Sequence, residues 1–309
     1  MKLEPVNQIK LFAHKEQFEN LIKLYVQNKL PNKILFSGEK GIGKCTLSYH
    51  LVNYILSADE ENSYDVKNLT INKENRSFKL IQNKSNPNFI LIDVLDEKKN
   101  IDIDQIRNLI SSLNKSSFNK KPRIVLIDNI DLLNINSINA LLKILEEPNE
   151  NVNFILINNN KKILPTLKSR CLNFKIQLNF NQSIDTINKI LNNDIYDLLN
   201  KDLINYYNTP GQLFNLFKVQ EQFDLNLKDI SLRDLIFFII QNKHYKKDLQ
   251  MNRLIYSLME FYLRSKISVD DIKLINIKDY FLKKINNTKK FNLDEESLLM
   301  EFEDKVLNG

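Results

Sequence analysis

Three of the five glycines in this 309-residue chain, Gly38, Gly41 and Gly43, stand within six positions directly ahead of Lys44. The apolar run Lys33–Ser37 leads into them, and a helical pattern follows from Lys44 to Ser57. Strand, glycine loop, lysine and helix in that order form a phosphate cradle. Glycines let backbone N–H groups turn toward an anion, the helix N-terminus adds its dipole, and the lysine reaches the terminal phosphates. The loop fits G-x-x-x-x-G-K-[ST] at every position but the last, where Cys45 replaces the hydroxyl. Thr46 supplies a hydroxyl one residue later, but a one-residue step on a helix turns a side chain by roughly 100°. Mg²⁺ prefers oxygen ligands, so a thiol at Cys45 disfavours it.

A phosphate loop of this kind belongs in an α/β fold, and the next segments agree. The continuous apolar runs Ile124–Ile127 and Phe154–Ile157 suit strands buried on both faces, as in parallel sheets. Strands are predicted over Lys33–Ser37, Phe89–Val94, Arg123–Asp128, Phe154–Asn158 and Asn173–Leu178. Helices are predicted over Lys44–Ser57, Ile103–Leu113 and Ile135–Glu147, the last stopped by Pro148. The alternation predicts a five-stranded parallel sheet with helices on both sides. Between 58 and 86 the pattern dissolves into polar residues, which reads as an irregular surface excursion. Strand signals vanish after 178, and Pro210-Gly211 is the clearest break in the helical remainder. The expected domains are therefore 1–178 (α/β), 179–215 (a helical connector) and 216–309 (all-helical).

Composition narrows the setting. Hydrophobic residues make up 43% of the chain, enough for substantial cores. Two cysteines, Cys45 and Cys171, leave no room for a disulfide framework and fit a reducing cytoplasm. No signal-peptide pattern opens the sequence, and the longest apolar run, Leu235–Ile240, is too short to cross a bilayer, so no membrane association is expected. The net charge of +6 fits a polyanionic partner. Lys- and Asn-rich usage along the whole chain, as A+T-biased coding would produce, accounts for it equally. The cluster Lys283, Lys284, Lys289 and Lys290 reads as a solvated face or as a nucleic-acid contact.

Three further segments carry chemistry. The strand Arg123–Asp128 ends on an Asp placed to hold the water shell of a metal, followed by Asn129 rather than by a proton-accepting Glu. The string Asn139-Ala-Leu-Leu-Lys-Ile-Leu-Glu146-Glu147-Pro148 reads as an amphipathic helix with a charged end. The string Ile163-Leu-Pro165-Thr-Leu-Lys-Ser169-Arg170-Cys171 reads as a proline turn into a short helix.

With the glycine loop, these segments resemble in order and spacing the bacterial clamp-loader AAA+ ATPases. The resemblance covers the chain through Cys171; the helical remainder has the length of that family's lid and collar. It implies a P-loop AAA+ domain, then a small helical lid at 179–215 and an all-helical collar at 216–309. It also implies a hetero-pentameric ring with gamma/tau motor and delta subunits, which places a sliding clamp on primer–template DNA during replication.

By the same resemblance, Arg170 would act in trans as an arginine finger on a neighbour's γ-phosphate, with Ser169 and Cys171 supporting its loop. Gly38, Gly41, Gly43, Lys44, Cys45, Thr46 and Asp128 would form the chain's own nucleotide site. A sensor residue falls at Asn158 or Asn159, and the second sensor falls near Gln212, which carries no charge. Many relatives carry a zinc module after the first helix, but residues 58–88 hold no Cys or His, so zinc is not expected. Cys45, Asn129 and Gln212 together imply a degenerate site: residual ATP or ADP binding is compatible with it, no cofactor is required, and the chain's own ATPase is expected to be absent. That pattern is the stator's. The rival readings are an ATP-hydrolysing motor or other AAA+ remodeller, and a P-loop DNA-binding protein acting alone.

Overall fold

The computed structural model describes residues 3–308 except 96–97, 99, 116–118, 148–150, 248, 266–271 and 292. The described chain divides into two compact units, one of 1–190 with 209–212, the other of 191–208 with 213–309.

Unit one is built on β1 (Lys33–Ser37), β2 (Phe89–Ile92), β3 (Arg123–Ile127), β4 (Val152–Asn158) and β5 (Leu172–Lys175), ordered β2-β3-β4-β1-β5. All pairings are parallel. Its helices are α1 (Lys15–Val26), α2 (Lys44–Leu56), α3 (Arg76–Gln82), α4 (Ile103–Leu113), α5 (Ile135–Glu146), α6 (Pro165–Lys168) and α7 (Phe180–Leu191). The apolar runs have a simple cause. Ile34, Phe36, Ile124, Leu126, Ile155 and Ile157 bury one sheet face with Phe18, Leu47 and Leu51. Leu35, Val125, Ile127, Phe154 and Leu156 bury the other with Ile106, Leu109, Leu141 and Leu145. The central strands β1, β3 and β4 alternate between the two cores, so their middle residues are apolar on both faces.

The expected strands and helices are present, with no end moved by more than three residues. Pro148, expected to stop α5, lies outside the described residues. The reading of 58–86 needs correction: it is packed rather than irregular. Tyr64, Leu69, Ile71, Phe78 and Ile81 join the first core. The backbone of 69–71 bonds to the N-terminal segment, Leu11 N to Leu69 O at 3.0 Å and Ile71 N to Ile9 O at 2.8 Å. Asn75, fully buried, caps α3 by accepting from Phe78 N at 2.8 Å and from Asn53 at 3.1 Å.

Unit two holds α8 (Ile195–Leu198), the greater part of α9 (Pro210–Phe223), α10 (Leu232–Gln241), α11 (Leu249–Ser265), α12 (Ile272–Phe291) and α13 (Glu295–Phe302). Ser231 caps α10, which buries Leu232, Leu235, Ile236, Ile239 and Ile240, the spacing of one helical stripe. Phe281 and Phe302 meet edge-on at 5.2 Å in this unit's core. Lys284 and Lys289 of the basic cluster pair with Glu301 and Glu260, so they sit on an ion-paired face. Among the described residues, no helix is long and apolar enough to cross a membrane.

Candidate nucleotide site and arginine edge

Parallel strands deliver their C-terminal ends to one edge of the sheet, and the site is built there. Ser37 ends β1, and Gly38 N donates to Asn158 O of β4 at 3.3 Å. Gly41 and Gly43 take φ of +87° and +96°, backbone that side chains rarely adopt. A Cβ on Gly38 would fall 2.1 Å from Ile176 O. The glycines are thus demanded by the loop's own path.

Lys44 is buried and folds back into the loop, donating to Gly38 O at 2.9 Å and Glu39 O at 2.6 Å. Burial lowers its ammonium to about 8, against the opposing pull of Asp128, Glu39 and Asp131. Behind the loop lies a residue that the sequence reading passed over. His14, 6% exposed, meets Ile42 O at 2.6 Å through Nε2. Only an N–H can be bonded to a carbonyl, so Nε2 carries the proton; Nδ1 is buried without a partner.

Cys45, the second residue of α2, lies beside Asp128, the residue after β3. Burial, and then the Asp128 carboxylate beside it, hold the Cys45 thiol well above its usual range. Burial and the nearby Asp93 carboxylate push Asp128 up to about 6. Asp93 itself follows β2 as Asp128 follows β3, a parallel legible in the sequence and unused there. The donors do not fit Mg²⁺: where the loop motif places an oxygen ligand, this site has a thiol that burial keeps protonated.

Asn129 adopts φ +57°, which Asn tolerates better than most residues. Its Nδ2 donates to Asp93 at 2.8 Å and its Oδ1 accepts from Asn159 Nδ2 at 2.8 Å. Asn158 instead donates to Lys161 O at 2.9 Å, with its Oδ1 buried and unpartnered. The two sensor candidates therefore differ: Asn159 is tied to Asn129, and Asn158 closes a turn. Thr46, the third residue of α2, makes no side-chain hydrogen bond to any of these groups.

Gln212 is committed elsewhere. Thr209 N donates to Gln212 Oε1 at 2.9 Å, and Gln212 N donates to Thr209 Oγ1 at 3.3 Å, a reciprocal cap on α9. Thr209 Oγ1 also donates to Lys40 O at 2.9 Å.

Arg170 stands on the turn after α6, away from these groups. Nη1 donates to Thr166 O at 2.7 Å, and Nη2 is paired with Glu146 at the end of α5. The side chain is 30% exposed. Ser169 Oγ donates to Thr166 O at 3.1 Å, and burial raises the Cys171 thiol to about 11. Glu146 was visible as a charged helix end; its pairing depends on a contact 24 residues away in sequence. No group of His, Cys, Asp and Glu able to hold a metal occurs among the described residues.

The profile of the family described as "DNA polymerase III, delta subunit" matches residues 13–179. A DNA polymerase III subunit delta' from Buchnera aphidicola subsp. Schizaphis graminum is 26% identical over 286 residues, covering 87% of this chain and 83% of that protein. A DNA polymerase III subunit gamma from the same organism is 28% identical over 178 residues, covering 57% of this chain and 47% of that protein, so this chain spans about half its length. Among solved structures, a gamma-subunit-related protein from Thermotoga maritima superposes with a TM-score of 0.52 at 17% identity, over 92% of this chain and 96% of that one. That likeness concerns the fold.

Proposed function

The chain belongs to the DNA polymerase III delta-subunit family and is a clamp-loader subunit of the delta' kind; from this premise we propose that it is the stator of its complex, without hydrolysis of its own. One observation carries the reading: a neutral thiol, Cys45, stands beside Asp128 where a motor needs an oxygen ligand on its metal. Asn129 supports it, since an amide cannot take a proton from water. The loop and Lys44 persist, which is compatible with residual ATP or ADP binding and gives the rival motor reading its footing.

The contribution to catalysis is made on a neighbour. Arg170 reaches the γ-phosphate bound by an adjacent gamma/tau subunit and offsets the charge that builds up in phosphoryl transfer. A guanidinium suits this because it stays charged and presents a planar fork of donors. The ring is hetero-pentameric, with gamma/tau and delta subunits, and acts on the sliding clamp and primer–template DNA in the cytoplasm. Residues 179–215 serve as lid and 216–309 as collar.

Two substitutions in a reconstituted clamp loader test the reading. Lys44→Ala leaves clamp loading nearly intact, whereas Arg170→Ala cripples it and lowers the DNA-stimulated ATPase. The opposite pattern sinks the stator assignment, as does turnover by the isolated chain on the order of 1 per second.

A further inference from the structure

Arg170 is held at two points, and the second has no role in the reading above. We infer that Glu146 is a positioning residue for Arg170, fixing the plane of the guanidinium while its remaining donors engage the neighbour's phosphate; this rests on the trans-finger role proposed for Arg170.

The platform is rigid. Leu141 and Leu145 of α5 are fully buried, and Leu167 of α6 is 1% exposed, so both helices are pinned to one core. Lys33 of β1 donates to Leu145 O at 2.9 Å, tying the residue before Glu146 to the central strand. The Glu146 side chain itself is 52% exposed, so the pair lies where a neighbouring subunit can reach it. An exposed ion pair of this kind adds little to folding stability. Its value is directional: a long side chain that would sample many rotamers is restricted to few. A guanidinium has five N–H donors. Thr166 O and Glu146 engage Nη1 and Nη2, leaving N–H groups for a phosphate oxygen while both anchors hold.

Charge and positioning predict opposite signs. The Glu146 carboxylate reduces the positive potential at Arg170, so a purely electrostatic view has its removal speed the reaction. Positioning has its removal slow it.

The test is steady-state, DNA-stimulated ATPase of the complete reconstituted complex, carrying Glu146→Ala, Glu146→Gln, Arg170→Ala or the Glu146→Ala/Arg170→Ala pair. Glu146→Ala should lower kcat about fivefold, as a loss of orientation does, with KM for ATP little changed and the melting temperature of the isolated chain preserved. Glu146→Gln keeps an acceptor oxygen and should recover most of that loss. The double variant should be no slower than Arg170→Ala alone, because both act through one group. An unchanged or raised kcat in Glu146→Ala overturns the inference, as does a further loss in the double variant. If Arg170→Ala is itself silent, the finger role falls and this inference with it. If Arg170→Ala cripples the complex while Glu146→Ala does not, the positioning role alone fails.

Discussion

Gly211 donates its backbone N–H to the carbonyl of Gly41 across 2.9 Å, so main chain ties the first turn of α9 to the phosphate loop beside the Thr209 Oγ1 bond to Lys40 O. A Cβ on Gly211 would lie 2.8 Å from Gly41 Cα, closer than backbone can yield cheaply. Helix propensity by itself favours Ala over Gly here by about 1 kcal/mol. Overpacking against backbone costs about 1–3 kcal/mol. Gly211→Ala should therefore destabilise the protein, read as a lower urea midpoint with an unchanged slope. A rise in the midpoint would show that the loop gives way and that this contact does not hold it.

Asp128 gives a pH-dependent signature. Its folded value of about 6 lies above the ordinary 3.8, so the folded state binds more protons between those values. Stability from this group falls as pH rises from about 4 to 6 and stays low above, by roughly 3 kcal/mol at most. Asp128→Asn removes the ionisation and keeps an acceptor oxygen for Asn129 N. The variant should be more stable than the parent at pH 8, and the gain should vanish toward pH 4. Paired denaturant titrations across that range measure it; a gain independent of pH would point to packing instead.

Why some of this was legible in the sequence is a question of range. The strand β1, its loop and α2 are contiguous, so their order alone disclosed the cradle, and Cys45 and Asn129 announced themselves by departing from a local pattern. The alternation of buried faces made β3 and β4 plain. Segment 58–86 hid because its apolar residues keep no sustained period: Leu69 and Ile71 stand two apart and Phe78 and Ile81 three apart, each pair too brief to read, and Tyr64 stands alone. Their partners lie in α1, α2 and the N-terminal strand-like stretch. His14 beneath the loop, Glu146 beside Arg170 and Thr209 on Lys40 are likewise contacts between distant segments, each made by a residue that is unremarkable locally. Gln212 was noticed for its missing charge; its capping of α9 needed the helix start to be placed.

His50 should make the α2 core acid-labile. Burial lowers it to about 4; Nε2 faces Gln8 O at 3.1 Å and Nδ1 meets the Tyr64 hydroxyl at 2.8 Å. The carbonyl fixes the proton on Nε2, so Tyr64 donates to Nδ1. Between pH 4 and 6.5 the unfolded state binds more protons, so this stability is complete above 6.5 and falls by roughly 3 kcal/mol as pH drops to 4. That slope opposes the one from Asp128, so the parent protein masks both. In an Asp128→Asn background the acid loss should stand out, and His50→Gln in that background should flatten it. Persistence of the slope without His50 would assign it elsewhere.

Restoring the metal ligand should separate binding from turnover. Cys45→Ser replaces the thiol with a small oxygen donor beside Asp128. The variant should bind a fluorescent ATP analogue about tenfold more tightly with Mg²⁺ than with EDTA, a dependence the parent should lack. Hydrolysis should remain absent, because Asn129 still offers no carboxylate to the attacking water. Adding Asn129→Glu places that carboxylate, at a backbone φ of +57° that Glu accepts less readily than Asn. Turnover is therefore expected only in the double variant, and slowly, measured as released phosphate from the isolated chain. Hydrolysis by Cys45→Ser alone would show that Asn129 is no barrier and that the thiol was the whole reason for inactivity.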